Sequence, residues 1–278
     1  MTPPPLTDRQ ALIQHRRRAC RDALFLHEEA VLEVQERLIP VNRQFTRPAI
    51  ISAFPEIWAN VLPGAKIVPD DEVLDLEPGA HDLVIHAMAL HWANDPVGQL
   101  VQSRRALVAD GLFLGFMLGG QTLHELRASL AEAEIAVTGG LSPRVLPMGE
   151  IRDLGALLQR SGLNLPVADS FQRRASYRDL FHLMADLRAM GETNALHERR
   201  RTFTPRRVMI EAAQRYAQAF GTEDGRIPAS FEVICLTGWS PHESQQKPLR
   251  PGSATMRLED ALKAARDTGT DPATKNDS

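Results

Sequence analysis

The residues best suited to chemistry stand directly after the two most apolar runs of the chain. Leu83–Leu90 is followed by His91-Trp92-Ala93-Asn94-Asp95-Pro96, and Leu112–Leu118 by Gly119-Gly120-Gln121-Thr122-Leu123-His124-Glu125. The first string offers a general base in His91, a stacking face in Trp92 and hydrogen-bonding groups in Asn94 and Asp95. Asp95 reads equally well as the cap of a helix that Pro96 opens, and Trp92 as packing. Gly119 and Gly120 would let a ligand approach the backbone, or simply make a turn. Three further strings are unusually polar for their surroundings: Leu141–Val145 (LSPRV), Met190–Ala195 (MGETNA) and Gly238–Gln246 (GWSPHESQQ). Glu192, Asn194, His242, Glu243 and Gln245 could hold a guanidinium, an amide or a peptide; as solvated turns they would do none of this. We expect His91–Asp95, Glu192–Asn194 and His242–Gln245 to converge on one pocket. His86, His91, His124 and His242 with Glu125 or Glu243 show no short ligand spacing, so no metal site is expected.

The elements that must position these residues read as follows. Thr7 and Gln10 form a capping box for a helix over Ala11–Ala19, and a second helix spans Ala23–Ile39, ended by Pro40. Ala49–Ala53 is a short buried strand, Glu56–Leu62 a short helix opened by Pro55, and Lys66–Val68 a weak strand. His81–Ala89 and Leu112–Leu118 are apolar without alternation, as parallel strands covered on both faces are, and should lie side by side at the centre of a sheet. Between them Asp95-Pro96 opens a helix and Asp110-Gly111 makes a turn. Thr122 and Glu125 form a second capping box, for a helix to Ile135. Glu150–Ser161 is a helix stopped by Gly162, and Leu165–Tyr177 a strand. Helices over Arg178–Met190 and Pro205–Phe220 precede a last strand, Ala229–Trp239. This alternation predicts a doubly wound α/β sheet, mostly parallel, closed by the two late strands as an antiparallel C-terminal edge pair. In such a sheet ligands bind beyond the carboxyl ends of the strands. The domain plan is an N-terminal helical segment 1–45, an α/β domain 46–256 with a helical insertion at about 178–220, and a C-terminal helix and polar tail 257–278.

Composition narrows the function. The 278 residues are 43% hydrophobic, enough for one sizeable core. A net charge of -3 argues against general nucleic-acid binding, and no apolar run is long enough to span a bilayer. The two cysteines, Cys20 and Cys235, lie far apart and fit a reducing compartment. The Arg-rich start has no apolar core, no small-residue cleavage site and no serine enrichment. Neither a secretory signal nor a transit peptide is read there, and a cytoplasmic protein is expected.

Several strings together resemble one family: Asp82–Pro96 (DLVIHAMALHWANDP), Arg104–Arg127 (RRALVADGLFLGFMLGGQTLHELR), GGLSPRV, DLGALLQRSG, MGETNA, DGRIPASFEVICLTGW and PHESQ. They run in order from about Asp82 to Ser253. The family is the S-adenosylmethionine-dependent (class I) methyltransferase-fold group that contains the mitochondrial complex I assembly arginine hydroxylase and its bacterial relatives. The malonyl-carrier-protein methyltransferase of biotin synthesis is a more distant likeness. The resemblance implies a Rossmann-like, seven-stranded sheet, S-adenosylmethionine as cofactor, and a protein partner, a respiratory complex I subunit, that is methylated or hydroxylated on arginine. A catalytically inactive assembly factor is the alternative. The resemblance places Asp71, His86, Trp92 and Gly119 around the cofactor. Ala49–Gly64 departs from the family, because it lacks the Gly-rich loop and the strand-end acid that would hold the cofactor. Roughly one βα unit is missing between Ala49 and Asp82.

Overall fold

The computed structural model describes residues 4–246. Among these, residues 4–242 form one compact unit, and 243–246 belong to a second. The C-terminal helix and tail expected at 257–278 lie outside the described residues.

The first unit opens with α1 (Arg9–Arg16) and α2 (Phe25–Leu38). Asp8, not Thr7, caps α1, its side chain accepting from the Ala11 amide at 3.1 Å. Then come β1 (Pro48–Ile51), α3 (Pro55–Trp58), β2 (Lys66–Val68), β3 (His81–Ala87), α4 (Pro96–Ala106) and β4 (Leu107–Leu118). The remainder is α5 (His124–Thr138), α6 (Ile151–Arg160), β5 (Asn164–Tyr177), α7 (Leu180–Ala189), α8 (Arg206–Phe220) and β6 (Ile227–Trp239).

Six strands form one sheet in the order β2-β1-β3-β4-β6-β5. β2, β1, β3 and β4 are parallel, and β6 runs antiparallel to both its neighbours. The late strands thus close the sheet as an antiparallel pair, with β6 inside and β5 at the rim. β3 and β4 sit adjacent at the centre, as their unbroken apolar runs require. Their side chains alternate between two cores. Leu83, Ile85, Leu112, Leu114 and Phe116 face α2, α5, α7 and α8, while Val84, Phe113 and Met117 face α4 and α6. Helices on both faces make the sheet doubly wound.

Three local expectations fail for identifiable reasons. Among the described residues the sheet has six strands, not seven: after β2 the chain runs 69–80 without a strand and enters β3 directly. Asp110-Gly111 is not a turn; Asp110 takes a left-handed φ of 59° inside β4, where the pairing with β3 slips. The Thr122–Glu125 capping box does not form. Thr122 Oγ1 exchanges hydrogen bonds of 3.1 Å with the Glu232 backbone, and Glu125 accepts from the Ser230 hydroxyl at 2.6 Å. Both side chains pin the start of α5 to β6 instead.

Candidate functional site

Successive strands run to opposite sides of β1: β2 on one, β3 on the other. The carboxyl ends of β1 and β3 therefore mark the switch point at which an open α/β sheet takes its ligand. The chain leaves β1 through Ser52–Phe54 into α3, and leaves β3 through Met88 into a single 3-10 turn, Leu90–Trp92.

At the β1 exit the space is filled by the protein itself. Trp58 of α3 is fully buried and Phe54 4% exposed. The Trp58 indole donates to His27 Nδ1 at 3.3 Å, and His27, from α2, stands edge-on to Phe54 at 4.9 Å. Burial pushes the His27 imidazole down to about 3, so it is neutral. What remains between Ala23, His27, Met88, His91, Met190 and Glu192 is a cavity of about 10 Å³.

At the β2 exit stands an acid that the sequence reading missed. Asp70 is buried and takes Arg16 Nη1 at 2.8 Å and Arg9 Nη1 at 3.0 Å, both from α1. Burial raises its carboxyl, but the two guanidinium groups outweigh that and hold it below the usual carboxylate range. The available signal was its place two residues beyond the Lys66–Val68 strand. Asp71 is exposed, 3.6 Å from Arg9 Nη2, and its carbonyl accepts from Gln99 Nε2 at 2.5 Å. That same Gln99 lies 3.1 Å from His86 Nε2, and burial lowers the His86 imidazole to about 4.

The β3 exit does bring two of the predicted strings together. The Trp92 indole donates to Glu192 Oε2 at 2.7 Å, and His91 Nε2 lies 3.6 Å from the same oxygen. The Leu118 amide donates to His91 Nδ1 at 3.4 Å, which puts the proton of a neutral imidazole on Nε2, facing Glu192. Glu192 is delivered by Gly191, whose φ of 78° suits glycine; a Cβ there would stand 3.0 Å from the Arg16 Cα. Burial raises the Glu192 carboxyl, but the neighbouring His91 ring, the Arg16 charge and the Trp92 donor outweigh it. They hold it near about 2. Glu192 is thus an ionised carboxylate only 14% exposed.

Glu192 and Trp92 line a cavity of about 200 Å³. Its walls are apolar and adaptable: Leu118, Leu126, Met148, Met184, Met209 and Phe231. Arg144, from the LSPRV string, lies in the wall but is already committed to buried Glu134 at 2.7 Å and Thr204 Oγ1 at 3.0 Å. Sequence reasoning singled out LSPRV without seeing Glu134 as its partner.

The other predicted residues go elsewhere. Asn94 Oδ1 accepts from the Thr7 amide at 2.8 Å and so clamps the N-terminal segment. Asp95 caps α4 by accepting from the Gly98 amide at 2.7 Å. Asn194 lines the cavity, but its amide donates to the Pro143 carbonyl at 2.9 Å. Gly119 receives the protein's own side chain: a Cβ would stand 2.5 Å from Glu232 Oε2 and 2.7 Å from Ile234 Cδ1. His242 follows β6, whose last residue, Trp239, pairs with Leu112 of β4, level with Leu83 near the start of β3. It is exposed at the opposite end of the sheet from His91, so His242 does not join His91 and Glu192. Glu243 and Gln245 belong to the second unit. Among the described residues, no group of three or more His, Cys, Asp or Glu could hold a metal ion, and no helix is long and apolar enough to cross a membrane.

The architecture defines the class. A putative methyltransferase of Bacillus halodurans superposes with a TM-score of 0.50 at 13% identity, over 76% of this chain and 99% of its own. The fold is that of the class I methyltransferases. The arginine-hydroxylase NDUFAF5, mitochondrial, of Danio rerio is 38% identical over 226 residues, 81% of this chain and 70% of that protein. This chain belongs to that family. The human arginine-hydroxylase NDUFAF5 is 40% identical over 70% of this chain, which spans only 56% of the human protein's length. A malonyl-[acyl-carrier protein] O-methyltransferase of Methylovorus is 34% identical over 63% of this chain. No family model matches. The cytoplasmic location expected from the sequence is corrected by these comparisons: the arginine-hydroxylase relatives are mitochondrial proteins.

Proposed function

We propose that this chain holds an arginine side chain of a partner protein in the cavity that Glu192 lines, and that it does so as an assembly factor without S-adenosylmethionine. The observation that carries the reading is the ionised, nearly buried Glu192, fixed by Trp92 and backed by His91, in the wall of an apolar cavity. An arginine suits this shape. Its methylene stem packs on Met184, Met209 and Leu126, while its guanidinium meets a carboxylate and the face of an indole. Glu192 Oε1 accepts no hydrogen bond among the described residues and is left for such a donor. The family supports the substrate class, because the relatives are named arginine hydroxylases. By the same lineage, the partner is a subunit of respiratory complex I and the setting mitochondrial.

Family membership brings S-adenosylmethionine with it, but the residues present do not fit that cofactor. Its charged end needs close backbone approach and its ribose a free carboxylate. At the switch point Phe54, Trp58 and His27 occupy the space, and Asp70 is bound by two arginines. This filling supports a non-catalytic arginine receptor over methylation or hydroxylation, either of which would draw on the cofactor.

Calorimetry with a single-arginine peptide and its citrulline twin tests the proposal. Citrulline keeps the shape and loses the charge. The arginine peptide should bind, the citrulline peptide should bind at least tenfold more weakly, and Glu192→Gln should remove the difference. Equal binding of the two peptides to the wild type would sink the reading.

A further inference from the structure

The chain beside the Glu192 cavity carries a charge opposite to that of Glu192. The chain from His197 to Arg207 reads HERRRTFTPRR, in a protein whose net charge is -3. This segment reaches the cavity at Thr204, which lines it and receives Arg144. The first turn of α8 continues from there, since Arg206 stands on the same helical face as Met209, a wall residue. Arg188 enters from α7 on the other side.

Part of this charge has a structural use. Arg199 and Arg201 pair with Asp8 at 2.9 and 3.3 Å, and Arg200 with Glu134 at 3.5 Å. Arg188, Arg206 and Arg207 are exposed and pair with no carboxylate among the described residues. Arg206 and Arg207 also occupy the first turn of α8, which holds no acid and has no side-chain cap. That is the end of a helix where cations are unfavourable and acids stabilise. Between the arginines Phe203 is 100% exposed, a large apolar side chain with no packing of its own. Folding explains neither choice.

Resting on the reading of the Glu192 cavity as an arginine receptor, we infer that Arg188, Arg206, Arg207 and Phe203 form a docking rim for acidic residues that flank the captured arginine in the partner protein. The complementarity is two-layered. A positive rim draws in and orients an acidic segment, and the single arginine within it passes to Glu192. The rim would repel an arginine in a basic context, so partner choice is set there by exclusion as well as attraction.

The test uses the full chain and three labelled peptides, each with one central arginine. Their flanks are Asp/Glu, Asn/Gln or Lys. Fluorescence anisotropy at low salt should give the acidic peptide roughly tenfold tighter binding than the neutral one, as expected for a few exposed charge pairs, and the basic peptide the weakest. The advantage should vanish at high salt and in the Arg206→Glu/Arg207→Glu double variant, whose positions are exposed and make no internal contact that folding needs. Equal binding of acidic and neutral peptides, or an acidic preference that survives charge reversal, would overturn the inference. So would a single-stranded RNA oligonucleotide that binds more tightly than the acidic peptide. Glu192→Gln separates the two proposals: it should weaken all three peptides alike and leave their ratio intact. A kept ratio without weakening would refute the cavity reading while upholding the rim.

Discussion

Asp70 is 7% exposed and carries two guanidinium groups, so its environment is a buried three-charge cluster. Removing one partner from such a cluster leaves charge without solvent. Arg16→Met should therefore cost about 3–5 kcal/mol in denaturant unfolding, although Arg9 remains. A loss under about 1 kcal/mol, the range of exposed pairs, would place Asp70 in water and weaken the case for a sealed cofactor site. The buried histidines make a second residue-scale prediction. His86 titrates at about 4 in the fold, below an ordinary 6.5, because burial disfavours its cation. As pH falls through 6.5 the unfolded chain takes up a proton that the folded chain refuses until about 4. Stability from His86 is therefore complete above 6.5 and declines towards 4, by about 3 kcal/mol. His27, lowered to about 3, acts in the same direction. Unfolding measured at pH 7 and pH 5 should show the decline, and His86→Gln should flatten it; equal stability at both pH values in the wild type would refute this. His91 was visible in the sequence as a polar residue beside a strand end, and Glu192 as part of a polar string after a helix. Asp70 and His27 were not, because their importance lies in Arg16 and Trp58, partners 54 and 31 residues away in the chain.

At the scale of elements, α3 decides what the switch point can hold. Pro55 starts it within four residues of β1, and its last residue, Trp58, is fully buried against α2. Trp58→Ala should cost about 3–5 kcal/mol, the cost of emptying a large core site, and should open the space that the indole fills. The junction of β4 and α5 is equally tight. Gly119→Ala would drive a methyl to within 2.5 Å of Glu232 and 2.7 Å of Ile234, and should lower stability by about 1–3 kcal/mol in thermal or denaturant unfolding. A neutral result would mean that Glu232 yields freely and that Gly119 was available to a ligand after all. Strands were the most legible elements. β3 and β4 are apolar on both sides because helices cover both faces, and Lys66–Val68 is β2 to the residue. Caps were less legible. Thr122 and Glu125 have cap spacing, yet their hydrogen bonds go to β6, a strand more than 100 residues later that no local pattern reveals. The same blindness put His242 beside the site: it follows an antiparallel strand, and that reversal carries it to the far end of the sheet.

For the whole molecule, a methyltransferase fold has kept its sheet and its pocket beyond β4 and closed its switch point with its own N-terminal helices. α1 supplies Arg9 and Arg16 to Asp70, and α2 supplies His27 to Trp58. The shortened stretch between β1 and β3 was plain in the sequence as missing glycines and a missing βα unit. The share of the N-terminal helices was not, since His27 beside Trp58 and Arg9 and Arg16 on Asp70 come from residues before the sheet begins. The consequence for binding is direct. A micromolar site is worth about 8 kcal/mol, and losing several hydrogen bonds at about 1–3 kcal/mol each takes it to millimolar or weaker. Titration calorimetry of the full chain with S-adenosylmethionine tests this most directly. The closed switch point predicts no measurable heat, or a Kd in the millimolar range. A Kd at or below about 10 µM would contradict it and return the chain to the cofactor-using enzymes of its family.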